Sequence, residues 1–553
     1  MAQLLLDIGV VFLVAGLFAL LARTLKQPLI IGYLVAGLVI GPAGLGFIKS
    51  EEVIRSLSEL GIAFLLFIVG LHLDFRKLKN LGKIILTVGL AQIIFTFIFT
   101  YFILLQFTFL ASHAVYLAIA LTLSSTIIVV KLLDEKKELN TVHGRTILGI
   151  LLTQDIVALC ALTFLSVGAF SVSTTFLALL KLVILIFLSV FFSLTFLPQA
   201  FKFFAKSQEL LFVTSIMWFF AVMLGTQLLD LSLSIGAFLA GISLASIPYN
   251  LEIESKAVSL RDFFSTIFFV TIGMQITFAN FEFWIIPIIL FSLFVLIGNP
   301  LIIFISTLFL GLTARTAFLS SIALAQISEF SLVFIALAYQ LKLVPHEILS
   351  FTALIALITF TVSTYLITYD GTLYLWFKPL LDKINHLTNQ KDKKSHTPKN
   401  FLPEIILCGY GRVGKKIKQS LKNKKILIVE FDPEIINKLK KNIPVIYGDV
   451  GDDELLKNLP LKKVKMVIST IGDFYDTKRL IKHIKIFNKN IKIIVSAVES
   501  DDALQLYDFG ADYVIVPHLI GGEYVSLLLH KGLNDVKHLF YKKQEHIDEL
   551  RKV

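Results

Sequence analysis

Apolar runs of roughly 20 residues, the length that crosses a bilayer as a helix, recur through the first two thirds of the chain. They lie at 4–22, 28–47, 56–72, 84–106, 112–133, 146–168, 176–198, 209–229, 232–247, 261–278, 283–310, 316–340 and 347–375. Thirteen spans put the two termini on opposite sides. Lys and Arg collect in the loops on the C-terminal side, among them Arg23, Lys26, Arg76, Lys83, Lys131, Lys136, Arg145, Lys202, Lys256 and Arg315. The opposite loops hold little beyond Lys49, Arg55 and Lys342. The positive-inside rule then sets the C-terminus in the cytoplasm and the N-terminus outside. An odd count also permits two inverted six-helix halves, spans 1–6 and 8–13, joined by span 7. Secondary transporters commonly follow that plan, with the substrate site near the midplane where helices are broken. The Lys and Arg of the apolar two thirds sit in short loops between the runs, as in a membrane protein with basic cytoplasmic loops, so a basic balance does not by itself call for a nucleic-acid partner. Cys160 falls in an apolar span and Cys408 in a buried strand, and no disulfide framework is implied. No basic region or A-x-A site accompanies the first apolar run, which reads as a retained span.

An ionisable group at bilayer depth is costly and marks a functional position. Asp155, in Leu151-Leu152-Thr153-Gln154-Asp155, stands about ten residues into the sixth span, close to the midplane. A carboxylate there is stripped of the water that favours its charged form, and it can hold either a proton or a cation. The plainer reading is an Asp tied to a neighbouring helix for stability. The fifth span carries Ser124, Ser125 and Thr126 in a row. Hydroxyls so placed compensate a broken helix, whose freed carbonyls can coordinate a dehydrated cation. Seven spans later, at the equivalent place, come Gln326, Ser328 and Glu329. Glu329 reads as a cap or tie of that second break, or as a second proton site. Asn299-Pro300 sits inside the eleventh span. Pro there frees a carbonyl, to which Asn299 can bond unless it reaches toward Asp155. His72 and Asp74 close the third span as interfacial polar residues.

Residues 376–402 read as a polar linker, and from 403 the composition changes. Short β-rich runs at 404–408, 425–430, 444–447, 464–469, 491–497 and 512–516 alternate with charged helical stretches, the pattern of a parallel sheet with crossover helices. Ile405–Cys408 runs into Gly409-Tyr410-Gly411-Arg412-Val413-Gly414 and then a helix. Glycines let the backbone approach a pyrophosphate, whose charge suits a helix N-terminus. Glu430, about 20 residues on, is placed to accept from ribose hydroxyls, with Asp432 as the alternative. Gly448-Asp449 ends the third strand, where an adenine would lie. The expected organisation is a membrane domain over 1–375, a linker over 376–402, a nucleotide-binding domain over 403–520 and a tail over 521–553.

Ser124-Ser125-Thr126, Lys131-Leu132-Leu133, Gly144-Arg145 and Gln154-Asp155 together resemble the monovalent cation:proton antiporter-2 family, especially its Kef-type potassium efflux members. Tyr33 through Gly41-Pro42, Leu65 through Leu71, Phe268 through Met274 and Gln326 through Phe330 match further landmarks. The resemblance implies a homodimer with crossed discontinuous helices and a core bundle that moves against a dimerisation domain. It makes Asp155 the ion-binding carboxylate and Gln154-Asp155 the mark of electroneutral exchange, often of potassium (K+) rather than sodium (Na+) for protons. It implies an RCK (TrkA-N type) domain after the linker, with NAD(H) or AMP as a regulatory ligand and glutathione or its adducts as further effectors. Two positions depart from the family pattern: Asn299 replaces a common basic residue, and His72 a common Glu. The chain is therefore read as a transporter of a bacterial inner membrane, not an enzyme. An RCK-gated potassium channel would need a T-V-G-Y-G-like filter, which the sequence lacks. An oxidoreductase would need a His/Asp or Cys/His pair beside the glycine loop, and none is apparent.

Overall fold

The computed structural model of the chain describes residues 2–48, 51–72, 83–107, 109–136, 138–139, 141–167, 207–229, 233–245, 250–278, 281–388, 401–421, 424–430, 443–448, 453–498 and 500–534, with isolated positions between them. Asp74, Asp432, Asp449 and most of the seventh span lie outside the described residues. The chain divides into two compact units. The first holds Met1–Leu132, Thr146–Leu310 and Ala317–Trp376, and the second Leu133–Arg145, Gly311–Thr316 and Phe377–Val553.

The first unit is helical. Its helices, with the adjoining ends that cross the unit boundary, are α1 (Ala2–Thr24), α2 (Leu29–Ile40), α3 (Glu51–His72), α4 (Lys83–Gln106), α5 (Ala111–Thr122), α6 (Thr126–Glu135), α7 (Val142–Val167), α8 (Gln208–Leu228), α9 (Leu233–Ala245), α10 (Asn250–Met274), α11 (Phe281–Leu293), α12 (Asn299–Phe309), α13 (Ala314–Ala323), α14 (Glu329–Gln340) and α15 (His346–Thr368). They fall on the expected spans. Among the described residues, seven helical stretches are long and apolar enough to cross a membrane. Their outward side chains are apolar too: Leu13, Leu228 and Phe309 are 76%, 85% and 86% exposed. Such faces fit a hydrocarbon surround better than water.

Among the described residues, three spans are interrupted, each for a local reason. The fifth breaks between α5 and α6, where Leu123 is extended (φ −87°, ψ 144°). The twelfth breaks between α13 and α14, where Ser328 caps the new helix by accepting from Phe330 N at 3.1 Å. The eleventh loosens into a π-turn at Phe294–Gly298, and Asn299 N reaches back to Phe294 O. Pro300 follows, and having no N–H it cannot extend the ordinary helical ladder.

Glycine lets two helix pairs cross with their backbones nearly touching. A Cβ on Gly37 (α2) would lie 2.0 Å from Val270 O and 2.9 Å from Gly273 Cα of α10. A Cβ on Gly241 (α9) would lie 2.0 Å from Phe67 O and 2.9 Å from Gly70 Cα of α3. Under an offset of seven spans, the second crossing is the first repeated, so the geometry carries the inverted repeat that the span count only permits.

The second unit contains a six-stranded parallel sheet of β1 (Ile405–Cys408), β2 (Ile426–Glu430), β3 (Val445–Tyr447), β4 (Met466–Ser469), β5 (Lys492–Ser496) and β6 (Tyr513–Ile515), in the order β3-β2-β1-β4-β5-β6. All five neighbouring pairs are parallel, with β1 between β2 and β4. This is the Rossmann order, and its switch point lies between β1 and β4. Crossovers include α17 (Arg412–Ser420), α18 (Asp453–Lys457), α19 (Phe474–Phe487) and α20 (Ser500–Asp508). β1 and β2 are buried throughout, as strands covered on both faces should be. The first part of the segment read as a linker is helical, within α16 (Asp370–Thr388). That helix buries Tyr374 and Leu381 while Lys378 is half-exposed, so its polar composition belongs to an amphipathic helix rather than a loop. The last described helix, α21 (Pro517–Asn534), runs past residue 520 into the segment expected as a tail.

Candidate functional site

The two broken spans cross, and each supplies polar groups to the other. Ser124 Oγ donates to Leu324 O at 3.1 Å, and Ser331 Oγ donates to Ala120 O. Ile127 N, at the start of α6, donates to Glu329 Oε1 at 3.4 Å, and Ser125 also hydrogen-bonds the Glu329 carboxylate. Glu329 thus ties the second break to the N-terminal end of a half-helix, where a negative charge is favoured. Asn299 Nδ2 donates to Leu121 O at 3.2 Å, satisfying a carbonyl in the last turn of α5. Ser363 Oγ donates to Gln326 Oε1.

Asp155, on α7, meets this crossing from the side. Thr126 Oγ1 lies 3.0 Å from both Asp155 Oδ1 and Oδ2. Asp155 and Thr126 are half-buried, whereas Gln154, Ser124, Ser125, Asn299, Gln326, Ser328 and Glu329 are buried. Asp155 and Thr126 are thus the less enclosed members of the group, backed by a buried polar layer. Glu329 Oε2 and Asn299 Oδ1 are buried without a hydrogen-bond partner among the described residues. The carboxylate oxygen can receive a proton or a cation, and the amide oxygen can coordinate a cation.

Gln154, the neighbour of Asp155 in the chain, bonds to other partners. Its Oε1 accepts from Ser124 N at 3.0 Å, and its Nε2 donates to Gln92 Oε1 at 2.7 Å. Gln92, on α4, was not among the candidates read from sequence, nor were Ser331 and Ser363. A signal for Gln92 was present: Gln92, Thr96 and Thr100 recur every fourth residue of an apolar span, and all three are fully buried.

In the second unit, β1 leads into the glycine loop. Gly409 has φ +88°, a left-handed value that only glycine adopts freely, and a Cβ there would meet Thr470 Oγ1 at 2.6 Å. A Cβ on Gly414 would lie 2.1 Å from Gly409 O, so α17 can start this close to the strand only with glycine at that position. Gly411, the N-cap of α17, has nothing within 4 Å of a built Cβ. That space leaves backbone N–H groups of a helix N-terminus open to an anion. Tyr410 N donates to Glu430 Oε2, which places the Glu430 carboxylate against the loop. Gly448 N donates to Glu430 O at 3.0 Å, bringing the end of β3 beside it. Thr470, after β4, bonds Cys408 O and Gly409 O and braces the turn. It too was missed from sequence. Arg412 and Val413 open α17, and Val413 is exposed. Burial, reinforced by the Glu430 charge, pushes the Cys408 thiol up to about 12, so it is an inert core residue. The loop, the helix N-terminus and the acid at the end of β2 together fit a dinucleotide or an adenine nucleotide.

Comparisons with known proteins agree with both units. The structure of the sodium proton antiporter MjNhaP1 from Methanocaldococcus jannaschii is similar at 17% identity, over 68% of this chain and 98% of that one, with a TM-score of 0.50. The TrkA-N domain of the inner membrane protein ybaL from Escherichia coli matches at 22% identity, over 24% of this chain and 98% of that one, with a TM-score of 0.23. The GsuK channel bound to NAD matches at 18% identity, over 29% of this chain and 30% of that one, with a TM-score of 0.20. Residues 405–517 match the TrkA-N domain family, a nucleotide-binding fold. Residues 9–368 match the family described as sodium/hydrogen exchanger, transmembrane, and the chain belongs to that family, as a multi-span membrane protein of Kef-type architecture with a C-terminal TrkA-N domain.

Proposed function

We propose that this antiporter exchanges cytoplasmic potassium for external protons, with Asp155 as the side chain that takes either ion. The observation that carries the reading is the placement of Asp155: half-buried, bonded through both carboxylate oxygens to Thr126, and set against the crossing of two broken helices. One carboxylate cannot hold a proton and a cation together. If the bundle moves only when Asp155 is neutralised by one of them, neither ion leaks and the two fluxes are coupled. Thr126 and Ser125 supply hydroxyl oxygen, while Glu329 and Asn299 contribute the unpartnered oxygens described above. With one exchanging carboxylate and neutral Gln154 beside it, the exchange moves no net charge.

The soluble domain takes NAD(H) or AMP at Gly409–Gly414 and Glu430 and biases transport by linkage, since a ligand that favours one state shifts the equilibrium toward it. The protein works as a homodimer in the bacterial inner membrane, with its C-terminus in the cytoplasm. Glutathione or its adducts are further candidate effectors. Sodium is the second reading, favoured by the description of the matched family.

The test is transport by the purified protein in proteoliposomes, with potassium and sodium supplied separately and the membrane potential clamped. Asp155→Asn should abolish exchange of both ions. Full activity in that variant defeats the site assignment, and an obligatory current defeats electroneutrality.

A further inference from the structure

The two glutamines behind Asp155 form a relay whose polarity is fixed at both ends. Gln92 Nε2 donates to Thr122 O at 3.0 Å and to Thr96 Oγ1 at 3.2 Å. A backbone carbonyl can only accept, so this end of Gln92 is its nitrogen. The other end is then Oε1, which accepts from Gln154 Nε2 at 2.7 Å. Gln154 Oε1 in turn accepts from Ser124 N at 3.0 Å, a group that can only donate. Both amide orientations follow from the backbone they face. The relay begins at Thr122 and ends at Ser124, so it bridges the broken turn at Leu123 from outside. Gln92 and Gln154 are at most 1% exposed, and neither backbone end has water to fall back on.

We propose that Gln92 is a positioning residue for the ion site, holding Gln154 as a brace of the helix break and thereby setting Thr126 against Asp155. The relay also makes Gln92 a determinant of exchange stoichiometry. The side chain at position 154 must donate toward Gln92 and accept from Ser124 N. An amide does both, and an ionised carboxylate, having no donor, cannot. Gln92 therefore keeps a second exchanging charge out of position 154, and Gln154 acts as a brace rather than an ion ligand.

The inference rests on Asp155 being the exchange site, and the experiment separates the two. Full-length protein in proteoliposomes is assayed for cation KM, maximal rate and clamped current from acidic to alkaline pH, as wild type, Gln92→Leu, Gln92→Glu and Asp155→Asn. Every variant is compared with wild type at the same pH, so that titration of Asp155 and Glu329 cancels. Gln92→Leu takes a partner from three buried polar groups, Thr122 O, Thr96 Oγ1 and Gln154 Nε2, and should raise the cation KM roughly 5- to 150-fold, with the maximal rate less affected. Gln92→Glu should rescue KM at acidic pH, where a protonated acid both donates to Thr122 O and accepts from Gln154, and should lose the rescue at alkaline pH. A residue that only fills space would not create that pH-conditional KM. If Gln92→Leu does not fold, judged by its elution profile, the Gln92→Glu series alone decides. Wild-type transport by Asp155→Asn sinks the site assignment. Loss of transport in Asp155→Asn, with a wild-type KM in Gln92→Leu or a wild-type pH curve in Gln92→Glu, overturns the positioning role alone.

Discussion

Asp473, the N-cap of α19, offers a test of how the second unit responds to protons. Its carboxylate accepts from Asp476 N at 2.7 Å, which satisfies an orphan donor of the helix. Burial and the neighbouring Asp476 carboxylate push Asp473 from an ordinary 3.8 up to about 6, although Arg315 and His143 pull the other way. Asp476 is itself buried and paired with Arg315 at 3.0 Å. The folded state therefore prefers protonated Asp473. Its contribution is fully favourable below about pH 4 and is lost as pH rises through 6. The rise is worth about 3 kcal/mol, at 1.36 kcal/mol for each tenfold change in proton affinity. Asp473→Asn keeps the capping oxygen and removes the charge. At pH 7.5 it should stabilise the start of α19 by up to about 3 kcal/mol, and at pH 4 by close to nothing. Hydrogen exchange of the Phe474–Phe487 amides in the full-length protein reads this directly, as up to roughly 100-fold slower exchange at the higher pH. A variant less protected than wild type at pH 7.5, or equally shifted at both pH values, would refute the reasoning.

Thr126→Val removes the donor shared by both oxygens of Asp155, and a lost hydrogen bond to a charged group should weaken cation binding about tenfold or more, read as KM in proteoliposomes. Gly37→Ala forces a methyl into the α2–α10 crossing and should cost about 1–3 kcal/mol or more, seen as a lower melting temperature in detergent. Gly16→Ala, with nothing within 4 Å, serves as its unaffected control. In the soluble domain, Gly411→Ala should leave the fold intact while weakening NADH or AMP binding by calorimetry. Gly409→Ala, at φ +88°, should destabilise the domain itself by about 1–2 kcal/mol.

Much of this molecule is legible from its sequence where the signal is local. Among the described residues, the hydrophobic runs map to helices because hydrocarbon leaves the backbone no alternative. The six strands emerge because buried parallel strands are short, continuous apolar runs between glycine loops and charged helices, as Ile405–Cys408 and Ile426–Glu430 are. Serine runs and Gln326–Glu329 mark the two breaks, since polar residues there supply the caps that a severed helix lacks. What the sequence conceals is partnership across the chain. Nothing near Gln92 says that its amide meets Gln154, 62 residues away, and nothing near Thr470 says that it braces Gly409. Helix α16 was hidden for another reason: an amphipathic helix with Pro379 inside it has the composition of a linker.

The glycine crossings also bear on the order in which the protein assembles. Gly70 pairs with Gly241 and Gly37 with Gly273, so the inner pair lies nested within the outer one along the chain. During synthesis α2 and α3 enter the bilayer with their notched faces unfilled, and they must wait for α9 and α10 to emerge before either seam can close. A chain cut between the halves would leave both seams facing lipid, and the first half should then be degraded rather than persist as a stable fragment.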